Sequence, residues 1–290
     1  MTLPRSGTIV TYPLGRLTDT ATVLHVEPAG DGLSAVLLDT TPCHPVDAGW
    51  PDQGPDRATL SWAGGAADVA DCVVAATDGV ALHRGGDIPV RRGTDGWAFV
   101  VAHLVADPPP VGQQVSVSVD AGLRRALSLG HTGCHLAALA LNAAMADRWS
   151  KETELDGLGS ANFDAAANAS SRILPGGSVD TYRLNKSLRR KGFDTAELAE
   201  RLPAIQDALN AQLSEWIAAD APVRIDRDGD RLTDRRYWVC SLPGGEVSIP
   251  CGGTHVEGSG ALGGLRAALS LSDDAGTTVL TMTTGAAELS

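Results

Sequence analysis

The chain has 290 residues, which is too long for one small domain and suits two. Hydrophobic residues make up 43% and charged residues 20%, a composition that excludes disordered, collagen-like and coiled-coil chains. Acidic residues outnumber basic ones by 35 to 23. The resulting net charge of −12 argues against a protein that coats nucleic acid through a broadly basic surface.

The apolar residues and the cysteines indicate in which cellular compartment the protein is expected. No apolar run approaches the roughly 18 residues that a membrane-spanning helix needs, and the N-terminal residues lack the apolar segment of a secretory signal. The five cysteines are odd in number and widely spaced, which disfavours a disulfide framework. We therefore expect a cytoplasmic protein with no membrane association.

The first part of the chain, to about residue 118, is predicted to be all-β. Runs rich in valine, leucine and threonine at 20–26, 33–38, 71–75 and 96–103 are separated by glycine and aspartate. This spacing favours a small barrel or sandwich. Prolines and glycines make 41–57 an ordered loop or a lid. The prolines at 108–110 suggest the exit from a first domain, which we place at 1–115.

The remainder, 116–290, is predicted to be an α+β domain with helices packed on an antiparallel sheet. A strand at 112–119 leads into a helix over 121–147, for which Asp120 is a suitable N-cap and Gly130 a tolerated weakness. The composition of 150–178 predicts loops.

A second helix is expected to begin at a capping box formed by Asp194 and Glu197 and to run to about Ala219. Pro203 is expected to kink or split it. The chain is predicted to return to β structure from Val223 and to end in a hairpin.

Two histidine-containing motifs carry the strongest chemical signal. His131 and His135 are four residues apart and would share one face of the predicted helix. Cys251 and His255 have the same spacing around two glycines. One cysteine and three histidines are ligands that suit Zn²⁺.

Each pair has a simpler interpretation, because histidines at this spacing are common in helices that bind no metal. The histidines that occur singly in the β region are expected to be surface groups or satisfied core groups. They are His25, His83 and His103.

The two motifs together, HTGCHL at 131–136 and PCGGTHV at 250–256, resemble the editing domains of alanyl-tRNA synthetases. They are still more similar to the free-standing AlaX-type alanyl-tRNA editing proteins. The approach to the helix through Asp120 and Arg124 is also similar. Threonyl-tRNA synthetase editing domains share the core and a similar set of residues.

The resemblance implies a β-barrel followed by an α+β editing core, with Zn²⁺ held by His131, His135, Cys251 and His255. The implied activity is hydrolysis, in trans, of the ester that joins a wrong amino acid to tRNA-Ala. The amino acid is chiefly serine and sometimes glycine. The implied partner is the acceptor end of tRNA-Ala, and ATP is not expected.

Some features around the motifs depart from the family or have two interpretations. Family barrels carry a Gly-Gly-Gln loop, whereas this chain has only Gln53-Gly54 in the corresponding region. Thr132 and Thr254 adjoin expected ligands and are candidates for contact with a substrate hydroxyl, or they cap and pack their own backbone. Trp50 can stack on the terminal adenine, although structural packing is the commoner use of tryptophan.

A basic stretch at 182–192 offers a surface for RNA despite the acidic total. On a helix, Arg183, Lys186 and Arg190 would share one face, with Leu184 and Leu188 on the other. Arg124-Arg125 and Arg235-Arg236 are possible extensions of it. The basic residues predicted to contact tRNA are Arg183, Lys186, Arg189, Arg190 and Lys191.

The sequence therefore predicts a zinc-dependent aminoacyl-tRNA deacylase. The alternatives are editing of another tRNA, such as a threonyl-type substrate, hydrolysis of a small aminoacyl ester, or a non-catalytic, zinc-stabilised module that binds tRNA or a synthetase. The oligomeric state stays open.

Overall fold

The computed structural model of the chain describes residues 3–286, and the fold is α+β, as predicted. The strands are β1 Ile9–Val10, β2 Thr18–Gly30, β3 Leu33–Leu38, β4 Thr40–Thr41, β5 Ala58–Trp62, β6 Gly65–Thr77, β7 Leu82–Arg84, β8 Ala98–Val105, β9 Gln114–Val119, β10 Asn168–Leu174, β11 Gly177–Arg183, β12 Val223–Arg227, β13 Arg236–Leu242, β14 Gly245–Pro250, β15 Leu265–Asp274 and β16 Thr277–Ala286. The helices are α1 Ala121–Ala144, α2 Phe163–Ala167, α3 Lys186–Arg190 and α4 Leu198–Ala218.

The described residues form two compact units. The first contains 3–124 together with Ile225–Tyr237 and Pro250–Thr254. The second contains Arg125–Arg224, Trp238–Ile249 and 255–286. Among these residues, the structure has no helix with the length and apolar character that crossing a membrane requires.

The first unit is built on a closed six-stranded antiparallel barrel. Its strand order is β5-β9-β2-β3-β8-β6, and pairing of β5 with the start of β6 closes the ring. Strand β7 pairs with the end of β6, beyond the part that contacts β5. The alternation in β9 shows why the sequence adopts this form, since Val115, Val117 and Val119 are buried while the serines between them are exposed. The predicted strands at 20–26, 33–38, 71–75 and 96–103 correspond to β2, β3, β6 and β8.

Two segments connect strands of the first unit, the chain between β4 and β5 and the prolines at 108–110. Between β4 and β5 the chain is irregular apart from isolated bridges such as Val46 with Val73, so the predicted ordered loop is confirmed. The prolines at 108–110 connect β8 to β9, and β9 is still a strand of the barrel.

The second unit contains an antiparallel sheet of order β10-β11-β16-β15. Its terminal hairpin, β15 with β16, was predicted, and the turn uses left-handed backbone at Ala275 and Gly276, with φ of 51° and 79°. Helix α4 is joined to β15 by Asn210, whose side-chain amide makes 2.8 and 2.9 Å hydrogen bonds with the backbone of Ala267.

Three predictions for the second unit were wrong in part. The stretch 150–178 was expected to be loop, but it contains α2, β10 and the start of β11. The capping box is not formed: Asp194 accepts a hydrogen bond from the backbone of Ala196, and Glu197 takes a left-handed conformation with φ of 53°. Pro203 does not split α4, which is continuous from Leu198 to Ala218.

Helix α1 confirms Asp120 as its N-cap, because the Asp120 side chain accepts a hydrogen bond from the backbone N–H of Leu123 at 3.0 Å. Gly130 in this helix was predicted to be a tolerated weakness. The structure gives it a packing reason, since a Cβ at this position would collide with the carbonyl oxygens of Leu174 and Gly177.

We expect Gly130→Ala to lower the free energy of unfolding by more than about 2 kcal/mol, because the added methyl meets rigid backbone rather than a movable side chain. Gly122→Ala, in the first turn of the same helix, is the control. It should be neutral or stabilising by up to about 1 kcal/mol, since its Cβ would meet only the Asp120 side chain. Equal effects in urea denaturation would contradict the packing role.

Candidate metal centre

Three histidines form a cluster in the second unit. His131 and His135 project from successive turns of α1, and their ring centroids are 4.9 Å apart. His255 lies against both, at 4.4 Å from His131 and 5.2 Å from His135. One ring nitrogen from each histidine lies within 4.8 Å of those of the others, so the cluster can hold a metal ion. Helical spacing alone predicted the first two of these residues.

His135 offers a ring nitrogen as a candidate metal ligand. Its Nε2 atom is buried and has no hydrogen-bond partner within residues 3–286. Burial lowers the pKa of His135 to about 4, which keeps the ring neutral at pH 7. Neutral imidazole is the form that binds metals. Trp238 packs at 5.0 Å from this ring and makes one wall of the cluster apolar.

Thr132 is fully buried beside the cluster. Its hydroxyl oxygen lies 3.2 Å from Nδ1 of His255 and accepts a 3.3 Å hydrogen bond from the backbone N–H of Val256. A hydroxyl oxygen can accept two hydrogen bonds, so Thr132 can also accept one from Nδ1–H of His255. That arrangement places the ring proton on Nδ1 and makes Nε2 of His255 the nitrogen of the type that binds a metal.

The other predicted residues, Cys251 and Thr254, belong to the first unit. Cys251 is buried, and burial raises the pKa of its thiol to about 12, although a hydrogen bond from the backbone of Gly253 opposes this rise. Such a thiol ionises at neutral pH only beside a cation.

Thr254 is held by Gln53. The Gln53 amide donates to the Thr254 hydroxyl and accepts from its backbone N–H, both at 3.0 Å. The loop glutamine is therefore fixed by its contacts with Thr254.

A cavity of about 470 Å³ opens in the first unit beside Cys251. Its lining includes Tyr12, Trp50 and the cations Arg92 and Arg235. Trp50 is 66% exposed, so the expectation that it serves structural packing was wrong. Its indole N–H donates a 3.0 Å hydrogen bond to Asp52.

Arg124 and Arg236, two predicted extensions of the basic stretch, have structural roles instead. Arg124 is buried and forms a bidentate ion pair with Asp56, a residue of the irregular loop. Arg236 is also buried, donates to the carbonyl oxygen of Arg231 at 2.6 Å, and lies over the ring of Tyr12. Because their charges are enclosed, neither side chain is available to RNA.

The basic stretch itself is not one helix. Arg183 ends strand β11 and pairs with Asp274 at 2.5 Å, so the predicted helical face that it shares with Lys186 and Arg190 does not exist. Leu184 and Leu188 are buried, as predicted. The cations exposed on and just after α3 are Lys186, Arg189, Arg190 and Lys191.

Comparison with known proteins finds distant relatives, two of which are described here, while no family model matches the chain. The chain is 26% identical over 251 residues to an alanine–tRNA ligase of Thermotoga maritima, an alignment that covers 82% of this chain and 23% of the relative. It is 28% identical over 231 residues to the alanine–tRNA ligase of Acidothermus cellulolyticus, with 80% and 22% covered. The chain thus spans less than a quarter of the length of these distant relatives.

The Asp56–Arg124 pair gives a stability prediction. We expect Asp56→Asn to lower the free energy of unfolding by about 3–5 kcal/mol, because Arg124 would keep a buried charge without a counter-ion. The control is Asp274→Asn, which removes the partner of the exposed Arg183 and should cost less than about 1 kcal/mol. Chemical denaturation of both variants measures the difference, and similar losses would show that the Asp56–Arg124 pair is not critical.

Proposed function

We propose that the chain is a zinc-dependent deacylase that removes a wrong amino acid from tRNA-Ala, with serine as the principal amino acid. The observation that carries the proposal is the three-histidine cluster, in which the buried Nε2 atom of His135 has no hydrogen-bond partner among residues 3–286. The distant similarity to two alanine–tRNA ligases supports tRNA as the partner.

The donor set fits zinc. The three imidazoles supply borderline nitrogen donors, and the motif around Cys251 adds a thiolate in the proposed ligand set. Zinc would supply Lewis acidity, which polarises a carbonyl group and stabilises the negative charge that develops during ester hydrolysis. We assign Thr132 to positioning His255 rather than to contact with substrate, because its hydroxyl oxygen already bonds within the cluster.

The proposed place of the terminal adenosine is the cavity beside Cys251. An exposed indole such as Trp50 offers a stacking face for a base, and Arg235 carries a charge suited to phosphate, whereas Arg92 is paired with Asp47 at 2.6 Å. In this assignment Gln53 holds the backbone of Thr254, and the Gly252-Gly253 backbone can approach the ligand closely.

The first test is metal removal by mutation. His131→Ala/His135→Ala should lose one equivalent of zinc and slow hydrolysis of Ser-tRNA-Ala by at least about 100-fold, since it removes two of the proposed ligands. His83→Ala, a half-buried histidine of the first unit, is the control and should retain both properties. Elemental analysis and release of labelled serine measure the outcome.

Two results would contradict the proposal. Undiminished zinc in the double variant would remove the metal site, and equal rates on Ser-tRNA-Ala and Ala-tRNA-Ala would indicate a general esterase. The same double variant distinguishes the non-catalytic alternative: a deacylase should lose activity and keep its circular dichroism spectrum, whereas a binding module stabilised by zinc at the histidine cluster should unfold.

The second test concerns the cations on α3. Lys186→Gln/Arg190→Gln/Lys191→Gln should weaken binding of cognate and non-cognate tRNA alike. Each lost phosphate contact should lower the slope of log affinity against log salt by about 0.7–0.9.

The control changes three other exposed arginines of the second unit to glutamine, Arg172, Arg201 and Arg266, and so removes the same charge. If both triple variants lose equal affinity, net charge rather than a local surface determines binding. Zinc content should stay the same in both.

A further inference from the structure

A second cluster of metal-binding residue types lies inside the barrel of the first unit. Cys72 on β6 and His103 on β8 are direct cross-strand partners, and Cys43 follows β4 at the start of the irregular loop. All three have 0% exposure. The inward positions next to this pair on β6 and β8 are Val74, Val101 and Val105, so the polar cluster interrupts an otherwise apolar interior.

The three residues are arranged as ligands of a single ion. One sulfur from each cysteine and one ring nitrogen of His103 all lie within 4.8 Å of one another. Cys72 and His103 stand on neighbouring strands and Cys43 on a separate segment, so an ion there would link three parts of the barrel. Cross-strand partners hold their side chains close on one face of a sheet, which fixes two of the three donors without strain.

The His103 ring is held in the tautomer that metal binding requires. Its Nδ1 lies 3.2 Å from the carbonyl oxygen of Val36, and a carbonyl only accepts, so Nδ1 carries the proton. Nε2 therefore presents its electron pair, 2.8 Å from the hydroxyl of Thr41. A backbone carbonyl on the second ring nitrogen is the usual support of a metal-binding histidine.

The electrostatics of the cluster favour a divalent ion. Two thiolates and a neutral imidazole would neutralise an ion of charge +2, whereas a monovalent ion would leave a net negative charge in a dry interior.

We propose that Cys43, Cys72 and His103 bind a structural zinc ion inside the barrel, separate from the histidine cluster of the second unit. Thr41 lies beside Nε2 and offers an oxygen for the fourth position after its hydroxyl proton rotates away. The enclosed site would take up its ion during folding. Its effect would be to fasten the start of the irregular loop, on which His44, Gln53 and Asp56 lie, to strands β6 and β8.

The test uses the full chain in the His131→Ala/His135→Ala background, so that zinc in the barrel is counted alone. We expect about one equivalent of zinc to remain after purification from zinc-containing medium. Adding Cys72→Ser should remove it, while adding Cys240→Ser, at a buried cysteine of the second unit, should not. Absence of zinc from the background variant, or its retention after Cys72→Ser, would overturn the proposal.

A measurement that needs no further substitution covers the case in which Cys72→Ser fails to fold. The same background protein, produced with Co²⁺ in place of zinc, should show thiolate-to-cobalt charge-transfer absorption with an intensity appropriate to two thiolates. Lack of this band would overturn the proposal, as would a Cys43–Cys72 disulfide in freshly purified protein. These outcomes do not depend on whether the histidine cluster is catalytic, because both of its α1 histidines are absent.

Discussion

The ion pair between Asp56 and Arg124 is the constraint on which the first unit depends. The Asp56 side chain has no exposure to solvent, and a buried carboxylate costs several kcal/mol unless a cation neutralises it. The same carboxylate accepts the backbone N–H of His44 at 2.6 Å, and Arg124 donates to the carbonyl oxygen of Pro42 at 2.7 Å. The irregular loop is thus fixed at both ends by charged hydrogen bonds, which lets Trp50, near its middle, stay exposed.

At the histidine cluster, unlike at Asp56, the burial of a polar atom is not compensated by a partner among the described residues. In the second unit the polar atom Nε2 of His135 is enclosed without a hydrogen bond among the described residues, a condition that costs about 1–3 kcal/mol. Trp238, His131 and His255 pack around the His135 ring, with ring centroids 4.9 to 5.2 Å away. A ligand that satisfies Nε2 would recover this free energy.

The sequence predicts what is local and periodic. Helical spacing is enough to place His131 beside His135, and alternation is enough to identify the barrel strands. The sequence does not predict β10, because its serines and asparagine are typical of loops. This segment is a strand because it pairs with β11. The sequence also does not indicate which residues far apart in the chain come into contact. Gln53 meets Thr254 across 201 positions, and His103 looks solitary until strand pairing sets Cys72 beside it.

The two histidine-containing clusters differ in the hydrogen bonds of their ring nitrogens and in their exposure to solvent. Both properties affect how readily a site could exchange a bound ligand. His103 has hydrogen-bond partners at both ring nitrogens and is fully enclosed, as are Cys43 and Cys72. His135 and His255 are only half-buried, and His135 has an unsatisfied nitrogen. A site that must exchange its ligands needs partial access, whereas one that only holds a fold together is best closed. This criterion supports the two proposals, catalysis at the histidine cluster and stabilisation of the fold at the barrel cluster.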